Sequence, residues 1–166
     1  MTTLRTVWRT LVLVWVLLTA SLAASVGEAP GRQMALTFDD LPAQRAPGIP
    51  DEQVEMITRS LLQVLQQHQA PAVGFVNESK LYRNDQVVPE RVALLESWLE
   101  AGMELGNHTY SHPDLHRIPL SEFELDLLRG EEIGRPLAEN RQVPYRYFRH
   151  PYLHTGRDLE TKHALE

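Results

Sequence analysis

The chain has 166 residues, 43% of them hydrophobic and 23% charged, a composition that suits one folded domain with a sizeable core rather than a disordered segment. A formal net charge of −6 argues against nucleic acid or an anionic membrane surface as a partner. With no cysteine, disulfides, lipid-modified thiols and thiolate metal sites are excluded, so any metal must be held by His, Asp or Glu.

Residues 1–23 read as a secretory signal peptide. Arg5 and Arg9 make a positive start, residues 11–18 form an apolar run, and Ser21-Leu22-Ala23 supplies small residues for cleavage. Thr19 and Ser21 dilute the run below a span of ~20 residues, which favours cleavage over a retained membrane anchor. Removing two arginines and no acid takes the charge to −8. The expected product is exported, to the periplasm or the medium, and is not stably inserted in a membrane. A short leader covers 24–33, and one domain covers 34–166.

Residues 34–38 form a compact apolar run ending on Asp39 and Asp40, which reads as a buried strand with two carboxylates at its C-terminal edge. Pro42, Pro47, Gly48 and Pro50 make 41–50 a loop. Across 51–69, Val54, Ile57, Leu61, Val64 and Leu65 recur with helical periodicity. Residues 72–76 read as a second strand, followed by the polar Asn77-Glu78-Ser79, an N-x-S sequon. Pro89 opens a helix with Val92, Leu95, Trp98 and Leu99 inward and Gly102 just past its end. Residues 103–106 are a third strand. Ser121 and Glu124 form a capping box, predicting a helix through Leu125 and Leu128 toward Ile133, where Gly134 and Pro136 blur its end. Residues 143–148 read as a fourth strand that contains Pro144, and 157–166 as the start of another helix that the sequence does not finish, as if the chain were a fragment.

Alternating strands and helices imply a parallel sheet or barrel, because parallel neighbours need crossover helices. Asp39 and Asp40, His108 and His112, and Arg149 then follow three of the four strands, on the edge where sites of this architecture lie. His108 and His112, four residues apart, are expected on one side of a helical turn, able to share a cation with a carboxylate. Read singly, His68, His116 and His163 are surface histidines. His150 and His154 stand within or just beyond the Arg149 segment, where either could face the site.

Thr37-Phe38-Asp39-Asp40, His108-Thr109-Tyr110-Ser111-His112 and Arg149-His150-Pro151-Tyr152 resemble, in order, the first three motifs of the polysaccharide deacetylase family (carbohydrate esterase family four). The resemblance covers about residues 34–156. It implies an α/β chain forming the N-terminal portion of a distorted parallel (β/α) barrel of the glycoside hydrolase/deacetylase type. It further implies a divalent metal, usually zinc, on Asp40, His108 and His112. Asp39 would be the general base, Arg149 its two-pronged orienting partner, and Tyr152 a backbone N–H donor to the oxyanion. The activity implied is removal of acetyl groups from the amide nitrogen of an N-acetylated carbohydrate, with the glycan as partner.

Leu41 stands where many members have glycine, and the family's later tryptophan and leucine-x-x-histidine motifs do not occur before Glu166. The latter supplies the general acid, for which His154, beside Tyr152 on the substrate side, is the stand-in within this sequence. Without that acid the alternative is a non-catalytic carbohydrate-binding or regulatory remnant. An iron(II) oxygenase reading of two histidines and a carboxylate is disfavoured by the parallel α/β order.

Overall fold

The computed structural model describes residues 34–165. The signal and leader expected over 1–33 lie outside the described residues. Three parallel strands, β1 (Leu36–Leu41), β2 (Ala72–Val76) and the strand Glu104–Asn107, pair in that order. Between β2 and Glu104–Asn107 a small antiparallel hairpin intervenes, β3 (Tyr82–Arg83) with β4 (Gln86–Val87), so Glu104–Asn107 is β5. β2 is central: Leu36 pairs with Ala72 on one side, and Val76 with Asn107 on the other.

The crossover helices are α1 (Asp51–Gln67) and α2 (Pro89–Glu100). Proline fits the first turn of α2 because no intrahelical partner awaits its missing N–H. Leu95, Trp98 and Leu99 of α2 enter the core with Leu41, Val76 and Leu105, and Phe38 meets Trp98 edge-on at 5.8 Å. Gly102, at φ 81, turns the chain from α2 into β5 without the penalty a side chain would incur. On α1 the buried stripe is Val54, Thr58, Leu62 and Leu65, whereas Ile57 and Val64, expected inward, are 42% and 51% exposed. Thr58 lies inward because its hydroxyl donates to the carbonyl of Pro42 at 3.2 Å, which sets the rotation of the helix.

Three further expectations are corrected. The helix after the histidines, α3 (Leu120–Arg129), begins one residue before Ser121 and makes no side-chain cap. Pro119, in extended geometry, holds the cap position, so the capping box does not form. α3 ends at Gly130, and a separate α4 (Gly134–Asn140) carries Pro136 in its first turn. Leu125 and Leu128 are 68% and 65% exposed, and Phe123 is the buried residue of α3.

The fourth strand over 143–148 is reduced to a single parallel bridge, Asn107 with Phe148. Asn107 N–H donates to the Tyr147 carbonyl and Arg149 N–H to the Asn107 carbonyl, both at 2.9 Å. The segment still lies beside β5, but Pro144 has no N–H to extend a ladder. The last helix, α5 (Leu159–His163), is capped by Asp158, whose carboxylate accepts from Thr161 N–H at 2.7 Å. Among the described residues no helix is long and apolar enough to cross a membrane.

Candidate active site

Successive residues of a strand point to opposite faces, so two adjacent aspartates share a site only if the strand breaks its alternation. β1 does so: its register slips between Phe38 and Leu41, and Asp40 has φ 69. Asp39 Oδ1 accepts from Arg149 Nη1 at 2.8 Å. Asp40, His108 and His112 each offer a donor atom, all within 4.8 Å of one another.

The two histidines are not on a helical turn. His108 leaves β5 directly, and Thr109 and His112 take φ 67 and 61, so the segment is an irregular bend that brings the ring centroids to 4.8 Å. Its shape is held from outside. Asn107 Oδ1 accepts from Thr109 N–H at 2.6 Å, Asp126 Oδ1 from Ser111 N–H at 2.9 Å, and Thr109 Oγ1 from His112 N–H at 3.1 Å. Asn77 donates its amide to the carbonyl of His108. Asn77 is fully buried, so the N-x-S sequon it begins is closed to a glycosylating enzyme in the folded chain.

The donor set suits a divalent cation. His108 Nδ1 lies 2.7 Å from the carbonyl of Arg149, which can only accept, so Nδ1 carries the proton and Nε2 presents a lone pair. Burial, partly opposed by that hydrogen bond, holds His108 below its ordinary pKa and keeps the ring neutral, the form that ligates a metal. Two imidazole nitrogens and one carboxylate are the ligand types that borderline cations take.

Arg149 joins the two halves of the site. Its carbonyl fixes His108 while its Nη1 reaches both Asp39 and, at 3.0 Å, Thr37 Oγ1. The two-pronged grip on Asp39 is therefore not made: one nitrogen, Nη1, serves both oxygens, and the guanidinium sits over the Phe75 ring at 4.4 Å. Tyr152, at φ 58 and 60% exposed, packs edge-on against His112 with centroids 4.6 Å apart. His150 turns away from the site and lies against Phe123. His154 faces Asp114 and His116, and His116 is a half-buried member of that group, not a free surface histidine. Beside Asp39 an open groove of about 410 Å³ is walled by Phe38, Leu41, Ile49, Ile57 and Leu61.

Sequence reasoning missed Lys80. Its Nζ lies 2.6 Å from Asp40 Oδ1, with only 11% of the lysine side chain exposed. The signal was available, because Lys80 follows the C-terminal edge of β2, the one strand end that had been assigned no site residue. Arg91, 1% exposed, fixes this stretch by donating to the Lys80 and Ala46 carbonyls at 2.7 and 2.9 Å and to Asp51 at 2.9 Å. Glu78, also missed, is fully buried and accepts the N–H groups of Ile133 and Gly134 at the start of α4.

A parallel α/β sheet whose C-terminal edge gathers two carboxylates, two imidazoles and an arginine defines a class of proteins with a candidate metal-assisted site on the strand ends. The sequence model of the polysaccharide deacetylase family matches residues 26–164, and the chain belongs to that family. It is 32% identical over 106 residues to a peptidoglycan-N-acetylglucosamine deacetylase of Bacillus cereus, covering 64% of this chain and 32% of that protein. To a chitooligosaccharide deacetylase of Bradyrhizobium it is 31% identical over 127 residues, covering 76% and 49%. The fold is similar to that of a peptidoglycan deacetylase from Bacillus subtilis, with a TM-score of 0.56, 25% identity, and coverage of 82% of this chain and 56% of that one. The chain thus spans a third to a half of the curated relatives it matches, and its fold is a partial (β/α) barrel of the deacetylase type.

Proposed function

We propose that this chain carries the catalytic face of an exported metal-dependent hydrolase that removes acetyl groups from the amide nitrogen of an N-acetylated carbohydrate. One observation carries the reading: the Arg149–Asp39 pair stands beside the Asp40, His108 and His112 donors, so a positioned base adjoins a cation site. The names of the relatives, for peptidoglycan N-acetylglucosamine and chitooligosaccharide, support an N-acetylated glycan as substrate. Arg5, Arg9, the apolar run and the small residues of the first 23 positions support export.

Asp40, His108 and His112 would hold the cation, and zinc suits two nitrogen ligands and one oxygen. When bound, such a cation polarises an acyl carbonyl and acidifies water. Asp39 takes a proton from the attacking water as its oxygen bonds to the acetyl carbon. The C–N bond then breaks as the leaving amine takes up the proton held by Asp39, which returns to its carboxylate form, and acetate and a free amino sugar result. Arg149 holds the Asp39 carboxylate in position. Tyr152, exposed on the rim above His112, gives the sugar a surface to lie on, with its backbone N–H as oxyanion donor.

The test is acetate release from N-acetylglucosamine oligomers by the metal-loaded natural protein. Release that stops on chelation, returns with zinc and fails in Asp39→Asn supports the reading. An inert, metal-loaded protein that binds those oligomers equally well with Asp39→Asn would replace it with a binding role.

A further inference from the structure

Beyond His112 the chain reads Pro113-Asp114-Leu115-His116, and the turn after Arg149 brings Tyr152 and His154 back against it. The two segments meet twice. Tyr152 packs on His112, and two residues later His154 lies flat on His116, with centroids 3.9 Å apart and planes within 8°. Asp114 stands beside the stacked pair. Its Oδ1 lies 2.7 Å from His154 Nδ1 and accepts the backbone N–H of His116 at 2.8 Å, while Arg117 Nε is 3.2 Å from Oδ2. One donor atom each from Asp114, His116 and His154 lies within 4.8 Å of the others, the same closeness as in the Asp40 group.

We propose that Asp114, His116 and His154 form a second divalent-cation site, separate from Asp40, His108 and His112 and suited to zinc. The set has two imidazoles and one carboxylate, the nitrogen and oxygen donors a borderline cation takes. Two protonated imidazoles this close would repel, whereas neutral rings beside one carboxylate can turn their lone pairs to a shared ion. The outer contact is in place: His116 Nε2 lies 3.0 Å from the carbonyl of Gly156, which puts the proton on Nε2 and leaves Nδ1 as the lone pair. Entry is open. An open hollow of about 360 Å³ lined by His116, Arg157, Asp158 and Thr161 lies alongside, and all three ligands are half-buried.

Binding needs an adjustment. Two donors on one tetrahedral cation at ~2.0–2.1 Å stand about 3.3 Å apart. The Asp114–His154 contact at 2.7 Å must therefore widen by roughly 0.6 Å. A neutral His154 keeps its proton by carrying it on Nε2 instead of Nδ1, so no net charge is lost from the ring. The rings must also unstack, because lone pairs in planes only 8° apart cannot both point at one ion, and donors as much as 4.8 Å apart must close toward that spacing.

Untagged protein, stripped of metal and dialysed against zinc at about pH 8, where imidazoles are neutral, decides the matter by metal content per chain. The expected count is two, falling to one in Asp40→Asn/His108→Asn and to one in His116→Asn/His154→Gln. Cobalt(II) in place of zinc should show two separable absorption titrations. A single ion per chain in the unsubstituted protein at saturating zinc overturns the proposal, as does a second ion that persists in His116→Asn/His154→Gln. The count on unsubstituted protein decides even if a variant fails to fold. A lone ion lost with Asp40→Asn/His108→Asn would leave the deacetylase reading standing while removing this one.

Discussion

Arg149 Nη1 donates to Asp39 Oδ1 at 2.8 Å across 110 positions of sequence, and the carbonyl of the same arginine accepts from His108. One residue therefore places both the base and a metal ligand. The backbone contribution survives any side-chain change, so substitution separates the two roles. Asp39→Asn is expected to lower acetate release ~10²–10⁴-fold, the usual worth of a general base, with zinc content unchanged. Arg149→Lys should cost less, on the order of tenfold, because a lysine keeps the charge but not the planar fork. Steady-state rates beside metal analysis check both, and an undiminished rate in Asp39→Asn would remove it as the base.

Lys80 gives Asp40 a cation before any metal arrives. The pair is half-screened, with 11% and 20% of the side chains exposed, and burial pulls the lysine pKa down while Asp40 resists that shift. Divalent metal must share or displace this ammonium. Lys80→Met is thus expected to tighten zinc binding at the Asp40 group about tenfold, or ~1.4 kcal/mol, and to lower the melting temperature of the metal-free protein by leaving Asp40 unpaired. Calorimetric titration with zinc measures the first effect. Weaker binding would mean that Lys80 organises Asp40 rather than competing for it.

Glu78 is buried without a cationic partner, and desolvation pushes its pKa from 4.5 up to about 7 despite the N–H groups of Gly134 and Ile133. The folded chain therefore holds a proton that the unfolded chain has released between those values. The stabilisation from this group is full below about 4.5 and is lost as pH rises through about 7. Glu78→Gln removes the charged form, so its stability relative to the parent should improve from pH 5 to pH 8 by a few kcal/mol at most. Urea unfolding at the two pH values reads the difference, and parallel pH profiles would show that Glu78 is not the titrating group.

Gly130 touches the histidine loop from the far side. A Cβ there would stand 2.6 Å from the Thr109 carbonyl carbon and 2.8 Å from Tyr110 N, backbone atoms that cannot step aside as a flexible side chain can. Gly130→Ala should cost ~1–3 kcal/mol and loosen zinc at Asp40, His108 and His112. Gly48→Ala is the control, since nothing lies within 4 Å of its added Cβ. Equal melting temperatures for the two variants would show that the loop yields freely.

The sequence by itself determined the alternation of strands and crossover helices, and with it the delivery of Asp39, Asp40, His108, His112 and Arg149 to one edge. That followed because hydrophobic periodicity and turn residues are local signals, and parallel order leaves strand ends together. What lay between the elements was decided by tertiary contact. His108 and His112 converge through a bend held by Asn77, Asn107 and Asp126, not through a helical turn. Pro119 pre-empted the cap written in Ser121 and Glu124, and α1 turned to bury Thr58 in place of Ile57. Lys80, Glu78 and Asp114 draw no assignment from the sequence, His116 reads as a surface histidine and His154 as a residue of the substrate side, because burial and ion pairing depend on what the folded chain packs against them. Lys80 meets Asp40, and His154 meets Asp114, each across 40 positions, a distance over which no periodicity carries a signal.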